Sequence, residues 1–214
     1  YKGNAMIEIL QLPLGPMQTN CYLATCTETM ETAVIDPSWD GRRIAALASE
    51  RGYVITHILL THAHFDHVGG LAELKAETNA PIYIHPDAVE MLARAPETAA
   101  AFNMTLPVPP TASHMLADGD IIEVGQLKFE VLFTPGHAPG HVSFYVREHN
   151  VVFDGDVLFQ RSIGRTDFPG SDHATLMRSI REKLLMLPDD TAVLSGHGPT
   201  TTIGQEKAWN PFLM

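Results

Sequence analysis

The sequence predicts one α/β domain in which two similar halves pack as a sandwich. Short apolar segments alternate with helical patterns along the chain. A pattern of strand, acidic loop, helix, strand and histidine loop also occurs twice. Asp36 and His62 end strands in the first copy, and Asp154, Asp156 and His197 occupy the matching loops of the second. Because sites in such sheets gather at strand ends, we expect these loops to meet at one edge.

The first half alternates predicted strands and helices. The strands are 20–26, 32–36, 54–61 and 81–85, and the helices are 40–52 and 66–79. In the first helix Ile44, Leu47 and Ala48 share one face, and Gly52 is expected to end it. The proline-rich segment 96–118 is expected to be an irregular connection, because proline is excluded from helix interiors and central strands.

The second half is predicted to contain more strands and one long helix. The strands are 127–133, 141–146, 150–156 and 191–199, and the helix is 171–187. Segment 127–133 alternates apolar and polar residues, as a strand with one exposed face does. Segments 141–146 and 150–156 predict a hairpin. Ser171 or Asp172 is expected to cap the helix, and Pro188 to end it.

Composition narrows the class of protein. The chain has 214 residues, of which 45% are hydrophobic, enough for one sizeable core. No apolar run reaches the ~18 residues of a membrane span, and the first residues do not resemble a signal peptide. We expect residues 1–5 to be a non-native addition, so that the domain spans 6–214. Cys21 and Cys26 are expected to be reduced, half-buried thiols, which suits a cytoplasmic protein.

The net charge of −11 and the lack of basic runs argue against nucleic-acid binding, which needs clustered Lys and Arg. We therefore expect no nucleic-acid partner and no membrane partner. No pattern in the sequence predicts an oligomeric state.

The segment "ILLTHAHFDHVGG", residues 58–70, places several metal-binding groups directly after a buried strand. His62 and His64 are two residues apart in extended chain, so their side chains can point the same way. Asp66 and His67 then open a helix, where a carboxylate is favoured. This spacing predicts one metal held by the first pair and a second metal held by the other.

Three further polar residues follow apolar strands. His137 lies in "FTPGH", Asp156 in "FDGD" and His197 in "LSGH". Neutral imidazole together with carboxylate suits Zn²⁺, Fe²⁺ or Mn²⁺. The sequence therefore predicts a metal site at the polar strand ends.

The order T-H-x-H-x-D-H, P-G-H, G-D and G-H-G resembles the metallo-β-lactamase superfamily. Segments 155–173 and 195–213 are similar to the short, single-domain bacterial branch of the glyoxalase II-like (hydroxyacylglutathione hydrolase-like) enzymes. The resemblance extends over essentially the whole chain from Met6. It implies the αββα fold, with two sheets packed face to face and helices outside.

The resemblance also implies a dinuclear metal centre. One metal is expected on His62, His64 and His137, the other on Asp66, His67 and His197, with Asp156 bridging both. Zinc is the expected metal, and iron and manganese also fit. A hydroxide between the metals would attack a thioester of the S-2-hydroxyacylglutathione type, such as S-lactoylglutathione, with Asp66 accepting a proton. Two dications, two carboxylates and one hydroxide sum to a charge of about +1, which favours a small anionic thioester.

Residues around the metals are assigned supporting roles. Asp36 is expected either to orient a ligand imidazole or to serve only as a turn or cap residue. His141 is expected to support the ligands or the fold without binding metal. Arg165 matches the basic residue that helps to hold the glutathione carboxylate in glyoxalase II enzymes. It is expected either to contact the substrate or to form only a surface salt bridge. The given sequence ends soon after His197, so we expect no counterpart of the C-terminal helical domain that completes the glutathione pocket in full-length enzymes. The hydrolytic machinery is therefore better supported than the substrate.

The main alternative is a persulfide dioxygenase. These enzymes resemble this chain, including the "GRTDF" stretch at 164–168, and hold one iron on two histidines and an aspartate. Here those ligands would be His62, His137 and Asp156. β-Lactamases of the superfamily usually carry Cys where Asp156 stands, and its nucleases usually have extra domains and basic surfaces. The segment 196–212 favours the hydrolase branch.

Overall fold

A computed structural model describes residues 6–214, which form two six-stranded sheets and a small hairpin. The expectation for residues 1–5 lies outside the described part of the chain. The strands are β1 (Ile7–Leu14), β2 (Thr19–Cys26), β3 (Glu31–Ile35), β4 (Val54–Leu59), β5 (Ile82–Ile84), β6 (His114–Met115), β7 (Ile121–Val124), β8 (Leu127–Phe133), β9 (Val142–Val146), β10 (Val151–Gly155), β11 (Leu158–Phe159), β12 (Ser162–Ile163), β13 (Ala192–Ser195) and β14 (Thr201–Thr202).

The helices cover the outer faces of the sheets. They are α1 (Gly41–Glu50), α2 (Phe65–Val68), α3 (Leu71–Thr78), α4 (Val89–Ala101), α5 (His173–Ser179) and α6 (Ile203–Trp209). Single 3₁₀ turns lie at Pro86–Ala88 and Arg147–His149, and a π-helical turn, Ile180–Leu184, continues α5. No helix between residues 6 and 214 is long and apolar enough to cross a membrane.

The two sheets share one feature of the repeat that the sequence predicts. The first has the order β1-β2-β3-β4-β5-β6, and the second has the order β14-β13-β10-β9-β8-β7. In each sheet the strand that ends in an acidic loop runs parallel to the strand that ends in a histidine loop, β3 beside β4 and β10 beside β13. Parallel strands have their carboxyl ends at the same end of a sheet. The acidic loop and the histidine loop of each pair therefore lie side by side.

Alternate side chains of the first sheet build two apolar layers. Leu23, Val34 and Ile58 pack with the buried residues of α1, α3 and α4. Their neighbours Tyr22 and Ile35 face the other way, into the core between the sheets. A third layer joins the outer face of the second sheet to α5, the π turn and α6. Helix, sheet, sheet and helix layers therefore follow one another, which confirms the predicted αββα fold.

The predicted helix 66–79 is two helices, with a break at Gly69 and Gly70. A Cβ at Gly69 would come within 2.5 Å of the Ser38 carbonyl oxygen, and one at Gly70 within 2.8 Å of the Trp39 backbone. The Gly70 N–H donates to the Pro37 carbonyl. The chain turns here because its backbone packs directly on segment 37–39, and only glycine permits that approach.

The expectation for segment 96–118 is wrong over its first residues. Helix α4 continues to Ala101 with Pro96 inside it. Leu92, Ala95 and Ala99 are buried against the first sheet, and this packing outweighs the hydrogen bond that Pro96 cannot donate. The sequence analysis also did not predict β1 and β7, which pair with β2 and β8.

Three local predictions concern a helix cap, a hairpin and the two cysteines. Asp172 caps α5 by accepting a hydrogen bond from the Thr175 N–H at 2.7 Å, as predicted. The hairpin of β9 and β10 is confirmed. Cys21 and Cys26 are free thiols on β2 but are fully buried, because both faces of this strand are covered.

Candidate metal centre

All the predicted metal ligands lie in loops or helix starts that follow strands. His62 and His64 follow β4, and Asp66 and His67 lie in the short helix α2. The other three follow β8, β10 and β13 respectively, namely His137, Asp156 and His197. The structure brings all seven of these residues together, although they are drawn from both halves of the chain.

The first cluster consists of three imidazole nitrogens. His62 Nε2 and His137 Nε2 each lie 3.0 Å from His64 Nδ1. Tetrahedral zinc with Zn–N bonds of ~2.0–2.1 Å holds its nitrogens about 3.3 Å apart. The three nitrogens are therefore spaced for one cation.

The second cluster combines a carboxylate with two imidazoles. Asp66 Oδ2 lies 3.2 Å from His197 Nε2 and 3.6 Å from His67 Nε2. Asp66 and His67 are buried or nearly so, and His197 closes the cluster from the opposite sheet. This set of one carboxylate and two imidazoles suits a second divalent cation.

Asp156 lies between the two clusters. Its Oδ2 is 3.5 Å from His137 Nε2 in the first cluster, and its Oδ1 is 3.5 Å from His67 Nε2 in the second. Oδ2 also lies 3.6 Å from His197 Nε2 in the second cluster. The carboxylate therefore contacts imidazoles of both clusters, which is the arrangement expected of a bridging carboxylate.

Unpaired buried atoms support the fit of this site to metal. His67 Nε2 and Asp156 Oδ1 are buried side-chain atoms, within residues 6–214, that have no hydrogen-bond partner. Such atoms are costly in a folded protein unless a ligand satisfies them. Both point into the second cluster, so a cation there would satisfy both.

Hydrogen bonds around the site select the imidazole nitrogen that faces the metals. Thr61 Oγ1 donates to Asp36 Oδ2 at 2.6 Å, so it accepts from the His62 Nδ1–H at 3.0 Å. His67 Nδ1–H donates to the same Asp36 oxygen at 2.9 Å. In both histidines Nδ1 carries the proton, and Nε2 is left with a lone pair for a cation. Asp36 thus contacts one histidine directly and the other through Thr61.

His137 is oriented by a backbone group. Its Nδ1–H donates to the Arg165 carbonyl oxygen at 2.9 Å, which leaves Nε2 to face the first cluster. His64 is the exception, because Nδ1 is its atom in the cluster. Its different orientation completes the nitrogen triangle from the side of α2.

His141 is fully buried, and neither of its ring nitrogens is free to join a cluster. Its Nε2 accepts from the Asp156 N–H at 3.2 Å, and its Nδ1 lies 3.1 Å from Thr134 Oγ1. The ring stacks on that of His62 at 4.8 Å. Both nitrogens are thus occupied, and His141 holds the backbone of Asp156 in place.

Burial and mutual charge set the protonation of the site. Burial and the neighbouring imidazoles hold the pKa of His62 well below its usual value. Burial alone would raise the pKa of Asp66, but His67 and the hydrogen bond from His197 outweigh it and lower this pKa to about 2. His62 is therefore neutral and Asp66 ionised at neutral pH, the states in which each binds metal.

A cleft of about 570 Å³ opens above the two clusters. His64, Asp66 and Asp156 lie at its base, and Phe168 and Pro169 line one wall. Another wall is formed by Met91 and Arg94 of α4 and by Phe102, which directly follows that helix. The sequence analysis missed this wall, although Leu92, Ala95 and Ala99 have the spacing of a helix face.

Arg165 lies at the rim of the cleft with an exposed side chain. Its guanidinium makes paired hydrogen bonds of 2.7 Å to both carboxylate oxygens of Asp167. It also lies 4.0 Å from the centre of the Phe168 ring. The predicted substrate-binding side chain is therefore next to the cleft, but its charge is paired with a neighbour two residues away.

The sequence profile of the metallo-beta-lactamase superfamily matches residues 14–197, which contain all seven predicted ligands. The protein belongs to the metallo-β-lactamase superfamily. The superfamily assignment predicted from the polar motifs is confirmed, and the paired clusters are those of a metal-binding enzyme of this superfamily.

Curated relatives match this superfamily member over almost its whole length. Hydroxyacylglutathione hydrolase GloC of Haemophilus influenzae is 42% identical over 214 residues, which cover 97% of both proteins. The probable metallo-hydrolase YqgX of Bacillus subtilis is 42% identical over 204 residues, which cover 95% of this chain and 96% of YqgX.

Solved structures also match this chain over almost its whole length. BLEG-1 B3 metallo-beta-lactamase has a TM-score of 0.91 at 40% identity, covering 97% of this chain and 100% of that chain. TTHA1623 in a di-iron-bound form has a TM-score of 0.89 at 43% identity, covering 95% and 100%. ETHE1 from Myxococcus xanthus has a TM-score of 0.81 at 30% identity, covering 95% and 83%.

Proposed function

We propose that the protein is a dinuclear metal-dependent hydrolase that cleaves thioesters of the S-2-hydroxyacylglutathione type, such as S-lactoylglutathione. The observation that carries this proposal is the position of Asp156, whose two oxygens each lie 3.5 Å from an imidazole nitrogen of a different cluster. A carboxylate so placed suits a pair of cations better than a single one. The similarity to GloC supports the choice of substrate.

His62, His64 and His137 would hold one cation, and Asp66, His67 and His197 the other, with Asp156 shared. Two divalent cations there would lower the pKa of a water between them and polarise a thioester carbonyl. Zn²⁺ suits the donor set, as do Fe²⁺ and Mn²⁺. The di-iron form of TTHA1623 makes iron a direct candidate.

The protein's own residues would orient the reaction. Asp66 is ionised at neutral pH, and its carboxylate lines the cleft, where it would accept a proton from the attacking water. Asp36 and the Arg165 carbonyl hold three of the imidazoles so that their Nε2 atoms face inwards. The Arg165 guanidinium, at the rim, would bind a substrate carboxylate after leaving Asp167.

Thioester cleavage can be tested with S-lactoylglutathione, followed as the loss of thioester absorbance. Zinc-, iron- and manganese-loaded proteins are compared with chelator-treated protein and with Asp66→Ala. We expect metal-dependent turnover that the substitution abolishes. Absence of turnover by protein that holds two metals would exclude this substrate, and a panel of other thioesters, lactones and a β-lactam would follow.

A second candidate is a mononuclear iron persulfide dioxygenase, favoured by the structural similarity to ETHE1. His62 and His137 with Asp156 would then be the iron ligands, and Asp66, His67 and His197 would remain without a cation. Oxygen consumption by iron-loaded protein with glutathione persulfide separates the two candidates. Oxygen uptake without thioester cleavage would overturn the hydrolase proposal.

A further inference from the structure

The start of β2 contacts both ligand loops of the second cluster. Thr19 and Asn20 are its first two residues, and their side chains are 1% and 2% exposed. Successive side chains of a strand point to opposite sides. Thr19 therefore reaches α2 in the first half of the chain, and Asn20 reaches the loop after β13 in the second half.

Thr19 contacts the ligand oxygen of Asp66. Its Oγ1 donates to Asp66 Oδ2 at 2.8 Å, and this is the same oxygen that lies 3.2 Å from His197 Nε2. A carboxylate oxygen has two lone pairs, so one can accept from Thr19 while the other binds a cation. Thr19 is itself held, because its carbonyl oxygen accepts from Ser38 Oγ at 3.1 Å.

Asn20 holds the loop that presents His197. Its N–H donates to the Gly196 carbonyl at 2.7 Å. Its Nδ2 donates to the carbonyls of Ser195 at 2.9 Å and Gly198 at 3.0 Å. The three acceptors belong to the two residues before His197 and the one after it. The His197 side chain itself is partly exposed and lies on the open side of the cluster. The loop conformation therefore depends on Asn20.

We propose that Thr19 and Asn20 are a positioning pair that determines the affinity of the second metal site and leaves the first unaffected. The first cluster is oriented by different groups, since His62 contacts Thr61 and His137 contacts the Arg165 carbonyl. Neither residue of the pair belongs to either cluster. The inference rests on the dinuclear centre proposed above and identifies what holds its second half.

The test is a titration of metal-depleted full chain with Co²⁺, followed by visible absorption in competition with a chromophoric chelator. Thr19→Val removes the hydroxyl and keeps the branched shape. Loss of an outer hydrogen-bond partner typically weakens metal binding by about 10–100-fold. We expect a weakening of that size for only one of the two Co²⁺ equivalents, namely the one bound by the second cluster. Thr19→Ser is expected to restore wild-type affinity.

Thr25→Val is the matched control. Thr25 is another buried threonine of β2, and its hydroxyl pairs with that of Thr32 at 2.9 Å, away from both clusters. We expect this variant to bind both equivalents as wild type does. Asn20→Ala gives an independent test, with the same selective loss expected, if Thr19→Val does not fold.

Equal binding of both equivalents by Thr19→Val and the wild type would overturn the inference, as would equal weakening of both. The titration does not depend on any substrate. A wild type that binds two equivalents but cleaves no thioester would remove the proposed substrate and leave the positioning pair intact. A wild type that binds one equivalent would overturn the dinuclear function itself.

Discussion

Asp36 and His67 form a buried pair in which Oδ2 of the aspartate lies 2.9 Å from Nδ1 of the histidine. The same carboxylate accepts from the Thr61 N–H at 2.8 Å and from the Thr61 hydroxyl. One carboxylate at the end of β3 thus fixes the loop after β4 together with an imidazole of the second cluster. The predicted supporting role of Asp36 has a direct structural basis in these contacts.

Asp36→Asn should weaken the second metal site. The amide has one acceptor oxygen in place of two, so it cannot satisfy Thr61 and His67 together. We expect the second equivalent to bind about 10–100-fold more weakly, measured by chelator competition. Asp40→Asn, an exposed aspartate in the same segment, is the control. Unchanged binding by Asp36→Asn would show that His67 needs no such partner.

Asp156→Ala should abolish hydrolysis, because the shared carboxylate contacts both clusters. The measurement combines thioester turnover with metal content by elemental analysis. Activity is expected to fall to the level of chelator-treated wild type, with less than two metals bound. A variant with both metals and full activity would contradict the bridging role.

His141→Ala should lower stability and keep both metals. It leaves the buried Asp156 N–H without an acceptor, which typically lowers the free energy of unfolding by about 1–3 kcal/mol. Urea denaturation measures this loss, and elemental analysis counts the metals. His137→Ala is the comparison, since it should lose a metal. If His141→Ala also lost one metal equivalent, His141 would act as a ligand.

Arg165→Ala should raise KM for an anionic thioester with little change in kcat, because uniform binding would be lost. Asp167→Ala should lower KM, since it frees the guanidinium from its 2.7 Å contacts. A neutral thioester serves as the control substrate for both variants. If neither substitution changed KM for any anionic substrate, Arg165 would be only a surface ion pair.

Local patterns were enough to predict much of the fold and the chemical groups of the site. Apolar runs that end in His62, Asp156 or His197 predict strands followed by polar loops. This pattern is visible in the sequence because the run and the polar residue are adjacent in the chain. The break at Gly69 and Gly70 could not be predicted, because it depends on contact with Trp39, about 30 residues away in the chain. Helix α4 was missed because Pro107, Pro109 and Pro110 led us to assign the whole of 96–118 to an irregular connection. Packing of Leu92 and Ala95 instead carries the helix through Pro96 to Ala101.

The sequence by itself determined the donor types, their order and their placement after strands in two matching halves. Only the tertiary structure decided which atoms meet. It placed Asp66 beside His197, Asp36 beside His67, and Thr19 and Asn20 between loops from opposite halves. These contacts join residues that are 31 to 178 positions apart. Sheet pairing and layer packing bring them together, and neither leaves a signature in the local spacing of residues.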